Sequence, residues 1–293
     1  MPRTLQRLGT SVAIAAGACL LSAQGFGQAP LKQSTEAPQG WYVYANEELR
    51  NANAADRRCF NYSRQDWRVI LDEGKARFTN IGNMKYESPA SPPRLVHQEG
   101  MTRLRSATQI DDVWLLAYDG GEFGGGLWIT NEDGSEVKQI YDSNVQAAVP
   151  LGSRVLVLSG LAHMQMDAGD ALIYSSPRAM NMALQKSIKL DGAPRTFVQE
   201  SDGSVLFVTT HSLCRITVNG ELKILHTFPS WTAQQYANSM AATPDGSIYV
   251  GMRMFVLKLN DKGGEYTEEW MLPEDCRKLL LQADRIDCSC SPR

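Results

Sequence analysis

The sequence predicts an all-β fold, a β-propeller of about five four-stranded blades (six as the alternative) with a short C-terminal helix. Three observations carry this. First, one unit is spelled twice. The turn Asp202-Gly203-Ser204, the β-rich run to Thr209 and the alternating run Ser212 to Thr217 return as Asp245-Gly246-Ser247, a run to Gly251 and a run from Met254 to Leu259. Second, the turn-plus-strand core recurs upstream. Aligning Val69, Val113, Val155, Val205 and Ile248 gives intervals of 44, 42, 50 and 43 residues, within the ~40–50 residues of propeller repeats. Third, each core is preceded by a run of small or polar residues and followed by two further strand-like runs.

Residues 1–25 read as a signal peptide: Arg3 and Arg7, then a twelve-residue apolar stretch from Val12 to Ala23, then a small-x-small site ending at Gly25. The apolar stretch falls short of the ~20 residues a membrane span needs, so the mature chain is expected to carry no transmembrane segment and to be exported, periplasmic or secreted. Residues 26–40 are rich in Pro, Gly and Gln and are read as a flexible leader. The propeller domain is placed at 41–293.

Trp41 to Tyr44 is the first strand-like run, and Glu47 to Arg57 has the apolar spacing of a short helix or a loop. Taking the repeat as a ruler, the second strand of each blade is the core run itself, beginning near Val69, Val113, Val155, Val205 and Ile248. Innermost strands precede it at 145–149, 195–199 and 238–242, where alanines suit strands that converge on an axis. Third strands fall at 126–130, 171–174, 213–217 and 255–259, and outer strands at 136–140, 185–190, 222–226 and 266–270. Residues 282–290 lie one period further on and are expected to close the ring against the first blade. Between Pro273 and Asp284, a proline, two acids and then Lys278 with three leucines read as the short helix.

These motifs resemble β-propeller repeats in general, of the kind seen in secreted bacterial propellers and in NHL-like or lactonase-like proteins. The resemblance covers roughly residues 60–272 and singles out no one family.

Net charge is −3 over 293 residues, with 43% hydrophobic and 21% charged residues. No basic face calls for nucleic acid. Export permits disulfides. Cys59, Cys276, Cys288 and Cys290 are the disulfide candidates, with Cys59 expected near Cys288 or Cys290 if the C-terminal strand docks on the first blade. Cys214 sits mid-strand and reads as a small apolar core residue.

Three constellations bear on chemistry. The glycine cluster Asp119 to Trp128 lacks the spacing of a dinucleotide or phosphate loop. It reads as a wide turn between two strands, with Glu122 a candidate for a ligand mouth. His163, Met164 and Met166 stand together in the loop that lengthens one interval, and imidazole with thioethers suits copper. By the ruler, the first residue of the innermost strand is Arg103, Asn144, Arg195 and Asn238 in four blades, with Cys59 in the first. Equivalent positions ring one mouth of the channel, and Arg and Asn donors there suit an anionic or polyhydroxy ligand. No catalytic set is recognisable and no cofactor is required. The expected function is an exported binding or scaffold module for a small-molecule or protein ligand. The alternatives are a metal-dependent hydrolase of lactonase or esterase type, and electron transfer through a quinone or copper.

Overall fold

Alternating and fully apolar runs separated by Gly, Asp and Asn turns give strands throughout, as β-branched and aromatic residues pack well on pleated surfaces. The structure, a computed structural model, describes residues 40–44, 63, 65–81, 92–93, 101–228 and 236–273. The signal peptide, the leader, the 47–57 segment, the C-terminal helix and closing strand, and Cys59, Cys276, Cys288 and Cys290 lie outside the described residues.

Five antiparallel sheets follow one another along the chain. Sheet I is the hairpin β2 (Trp67–Asp72) and β3 (Lys75–Asn80). Sheet II contains β4 (Leu104–Ile110), β5 (Val113–Asp119), β6 (Gly125–Asn131) and β7 (Val137–Tyr141). Sheet III contains β8 (Val145–Leu151), β9 (Arg154–His163), β10 (Met166–Ser175) and β11 (Leu184–Leu190). Sheet IV contains β12 (Pro194–Gln199), β13 (Val205–Thr209), β14 (Ser212–Ile216) and β15 (Leu222–Thr227). Sheet V contains β16 (Ser239–Ala242), β17 (Ile248–Gly251), β18 (Val256–Asp261) and β19 (Tyr266–Pro273). Sheets II to V are simple meanders. The expected first, second, third and outer strands of these four sheets fall on them in order, with ends shifted by a few residues.

First strands lie beside first strands: β4 packs on β8, β12 on β8 and β16, and β16 on β2. This is the arrangement of propeller blades around an axis. The slim residues expected there are present, with Ala147, Ala148 and Ala241 buried on β8 and β16. Between blades the cores are continuous. Leu115, Leu127 and Ile129 of sheet II meet Val155, Val157 and Leu172 of sheet III. Leu206 and Val208 of sheet IV meet Val250, Phe255 and Trp270 of sheet V. Trp270 is fully buried, its ring edge-on to Phe255 at 5.7 Å between centroids. Cys214, expected in the core, is 1% exposed, and burial pushes its thiol up to about 12.

The doubled unit owes its likeness to one turn geometry. In both copies the Asp side chain accepts from the Ser backbone N–H two residues on, Asp202 from Ser204 at 2.8 Å and Asp245 from Ser247 at 3.1 Å. The intervening Gly203 and Gly246 take φ of 82° and 84°, the left-handed region that glycine enters without penalty. Accepting the Ser204 backbone and hydroxyl hydrogen bonds holds the Asp202 carboxyl below its usual range.

The run Trp41–Tyr44, read as strand-like, forms β1 and adds to the outer edge of sheet V by pairing with β19. One placement differs from the sequence expectation. The run at Val69, expected as a second strand, is a first strand. Val69 N donates to Ser239 Oγ on β16 at 2.8 Å, and Trp67 N donates to Met252 O at 3.1 Å. Two strand-like runs of equal length joined at Glu73-Gly74 look alike to a ruler, and only their pairing to sheet V tells which is inner.

Candidate functional site: a polar ring at the first-strand ends

The residues just before the first strands stand at equivalent positions in the five sheets. These residues are Asp66, Arg103, Asn144, Ala193 and Asn238. Four share a backbone signature in which their carbonyl accepts from the far end of the second strand. Ile81 N donates to Asp66 O, Asp119 N to Arg103 O, Gly160 N to Asn144 O and Thr210 N to Ala193 O. The ruler therefore located Arg103, Asn144 and Asn238, missed Asp66 by taking Cys59, and placed Arg195 two residues too early.

The slip at Arg195 comes from a longer interval in sheet IV, 12 residues from Ala193 to Val205 against 10 from Arg103 to Val113. The first strands of sheets II, III and IV each carry a β-bulge at the same position. Pairing jumps across Arg105 between Leu104 and Ser106, across Gln146 between Val145 and Ala147, and across Arg195 between Pro194 and Thr196. A bulge leaves one residue out of the ladder and re-aims its side chain. Three successive blades thus present Arg105, Gln146 and Arg195 in equivalent settings.

These side chains connect across sheets. Gln146 Nε2 donates to Asp119 Oδ2 at 2.6 Å, and Arg105 Nε donates to Gln146 Oε1 at 3.1 Å. Asp119 Oδ1 accepts from Gly121 N, which ties the glycine turn to the ring. Arg195 is half-buried, and burial pushes its guanidinium below its usual pKa against the opposing pull of Asp167, Asp119 and Tyr236. The guanidinium of Arg253 lies 4.2 Å from the Tyr236 ring centroid and that of Arg195 5.9 Å from it, so two cations lie against the one ring. Tyr236 has φ of 50°, a conformation that costs a bulky residue energy and is found at functional sites.

On the other side, Asn238 Nδ2 donates to Asp66 Oδ1 at 2.6 Å. Burial raises the Asp66 pKa, outweighing Arg253, the Asn238 hydrogen bond and Arg103, which lower it. An acid with a raised folded pKa contributes stability below its unfolded value near 3.8 that is lost as pH rises through the folded value. Asp66→Asn, which no longer has a proton to lose there, is therefore expected to gain on wild type as pH climbs from about 4 to about 7. Urea midpoints measured across that range check this. A constant difference between the two proteins refutes the half-buried, proton-retaining Asp66.

Asn144 is buried, and its Nδ2 donates to Gly121 O at 2.8 Å, so it holds the glycine turn. That turn is the wide connection the sequence led us to expect, β5 passing through a 3-10 turn at Gly121–Phe123 into β6. Glu122 on this turn is exposed and stands 3.1 Å from His163 Nε2 of sheet III. The segment 160–168, expected as a loop, is an extension of the β9–β10 hairpin, with His163 paired to Met166 across a two-residue turn. It is fixed to sheet IV one residue pair from its tip, by Asp167. That carboxylate accepts from Ala193 N at 2.9 Å and Thr210 Oγ1 at 2.8 Å, and stands 3.0 Å from His211 Nε2. Glu200, which directly follows β12, makes a two-point pair with Arg215 at 2.7 Å. Among the described residues, no group of three or more His, Cys, Asp or Glu is arranged to hold a metal ion. Among them, too, no helix is long and apolar enough to cross a membrane.

No family model matches the chain, and no curated protein does. Solved structures of similar course include the extracellular domain of a one-component system from Bacteroides thetaiotaomicron, at 14% identity and TM-score 0.40, over 57% of this chain and 22% of that one. A Lactobacillus plantarum protein matches at 14% identity and TM-score 0.43, over 70% and 61%. The periplasmic gluconolactonase of Pseudomonas aeruginosa matches at 8% identity and TM-score 0.43, over 58% and 55%. The matched part thus spans less than two thirds of each of these structures. The blade architecture stands on the sheets themselves.

Proposed function

We propose that the chain is an exported five-bladed propeller that binds a small anionic or polyhydroxy ligand, of sugar-acid type, at the mouth described above. One observation supports this most: every one of the five sheets contributes to one polar ring. Asp66 comes from sheet I, and Arg103, Arg105 and Asp119 from sheet II. Gln146 and Asp167 come from sheet III and Arg195 from sheet IV, while Asn238 and Arg253 flank sheet V. Five blades fit the five successive first strands, and the N-terminal apolar stretch supports export.

The chemistry suits such a ligand. Arg103, Arg195 and Arg253 offer fixed cations for a carboxylate. Asp66, Asn238 and Gln146 offer acceptors and donors for hydroxyls, and Tyr236 offers a ring face against which a sugar can stack. The present partners of the guanidiniums are carboxylates and a phenol ring, interactions that a bound acid would share or replace.

The test is a thermal-shift and calorimetric comparison of glucuronate, gluconate and neutral glucose, on wild type and on Arg103→Ala with Arg195→Ala. A ligand at ten times Kd should stabilise by about 1.4 kcal/mol, or about 3–6 °C in Tm for a domain of this size. The double variant should lose at least about tenfold in affinity, since a charged hydrogen bond contributes ~1.5–3 kcal/mol. Binding unchanged in the double variant, or no response to any acid in the panel, overturns the proposal.

A further inference from the structure

The β9–β10 hairpin runs on beyond its neighbours and ends in a cluster that the mouth does not use. His163 and Met166 are direct cross-strand partners at its last pair, so their side chains leave the same face. Cβ atoms of such partners lie ~5 Å apart, a span that one metal ion bridges. Met164 is the first turn residue, with φ of 53°. Both methionines face solvent, Met164 at 90% and Met166 at 57% exposure. Thioethers that exposed are not filling gaps in a core, the ordinary use of methionine.

His163 is held by a second group. Its Nε2 stands 3.1 Å from Glu122 Oε2, on the 3-10 turn of the neighbouring sheet. A carboxylate bonded to one imidazole nitrogen fixes the ring and raises the basicity of the other nitrogen, as it does behind metal-bound histidines. With Nε2 committed to Glu122, Nδ1 is the nitrogen left for a metal. The hairpin is fixed as well one residue pair from this tip, by Asp167 on Thr210 and His211 of the next sheet.

We propose that His163, Met164 and Met166 form a Cu(I) site at this hairpin tip, with Glu122 orienting the imidazole. The donor set decides the metal. Two thioethers and one imidazole are soft to borderline ligands, which select Cu(I), whereas Mg2+ and Ca2+ require oxygen. Three ligands from one rigid hairpin satisfy Cu(I) without a contribution from elsewhere in the chain. The site shares no residue with the ring and does not depend on the ligand proposed for it.

The test is anaerobic competition of the whole protein for Cu(I) against a colorimetric chelator. Wild type is expected to withdraw about one equivalent. Met164→Leu with Met166→Leu keeps size and solvent-facing position, so it should fold as wild type while losing Cu(I) affinity at least about tenfold. Glu122→Gln, which touches no metal, should weaken binding ~10–100-fold as outer partners of metal ligands do. It should leave the fold's urea midpoint unchanged. A wild type that withdraws no Cu(I), a Leu double variant that binds as well, or equal competition by Zn2+ overturns the site.

Discussion

Gly251→Ala is expected to cost about 3 kcal/mol, combining overpacking with a disturbed buried hydrogen bond, and to lower Tm by about 6–12 °C. Gly251 ends β17, where sheet V meets sheet I. A methyl there would overlap the Trp67 carbonyl oxygen and Ser239 Oγ, and would approach Val69 N to 3.0 Å. Backbone cannot swing aside as a side chain does, so β2 must retreat from β16. Ser239 would then lose the hydrogen bond it accepts from Val69 N at 2.8 Å. Ser239→Ala serves as a comparison, because it removes that acceptor without adding bulk and should cost only about 1–2 kcal/mol. The consequence reaches the ring. Asp66 directly precedes β2 and accepts from Asn238 directly before β16, so a retreat of β2 draws Asp66 away from its partner. Chemical denaturation checks the stability loss. A Gly251→Ala protein that melts with wild type would mean that the two sheets do not meet as described.

The course of the sheets was legible because propeller blades repeat their turn chemistry. Asp-Gly-Ser at 202–204 and 245–247 marks the same bend, and counting from it located the strands of sheets II to V. What escaped the ruler was anything set by pairing rather than by residue type. A bulge is fixed by the pairing across strands rather than by residue type, so nothing in Pro194-Arg195-Thr196 announces that Arg195 stands in the setting of Arg105 and Gln146. The first hairpin escaped for a related reason, since Trp67–Asp72 and Lys75–Asn80 carry equal strand signals and only the hydrogen bonds to Ser239 and Met252 rank them. Contacts between blades were equally hidden. Glu122 and His163 were each singled out from their own surroundings, yet nothing in the chain between them says they meet. Tyr236 follows a segment with no repeat signal, and its role shows only through the guanidiniums of Arg195 and Arg253 beside it.

Asp167→Ala is expected to move stability and ligand affinity in opposite directions, which a general disruption would not do. Asp167 accepts from Ala193 N at 2.9 Å and from Thr210 Oγ1 at 2.8 Å. Ala193 is 1% exposed and Thr210 fully buried. Deleting the carboxylate leaves both donors without this acceptor in a place water reaches poorly, at ~1–3 kcal/mol for each such group. Because the Asp167 side chain is itself about a quarter exposed, entering water offsets part of this, and a net loss of about 2–4 kcal/mol follows. The pairing with His211 Nε2 at 3.0 Å goes as well, freeing the tip of the β9–β10 hairpin. Asp167→Asn keeps an acceptor oxygen and drops only the charge, so its stability loss should be nearer 1 kcal/mol. Arg195 responds the other way. Asp167 is the first of the charges that favour its protonated form, and as an anion beside the proposed mouth it repels a bound acid. Removing it should tighten sugar-acid binding in both variants, by about tenfold if the charges are separated by ~6 Å at an effective dielectric near 20 and partly screened by salt. Calorimetry with glucuronate reads that gain, and urea denaturation of the same samples reads the loss. If affinity falls together with stability, Arg195 is a structural cation held by Asp167, and the mouth is not where the acid binds.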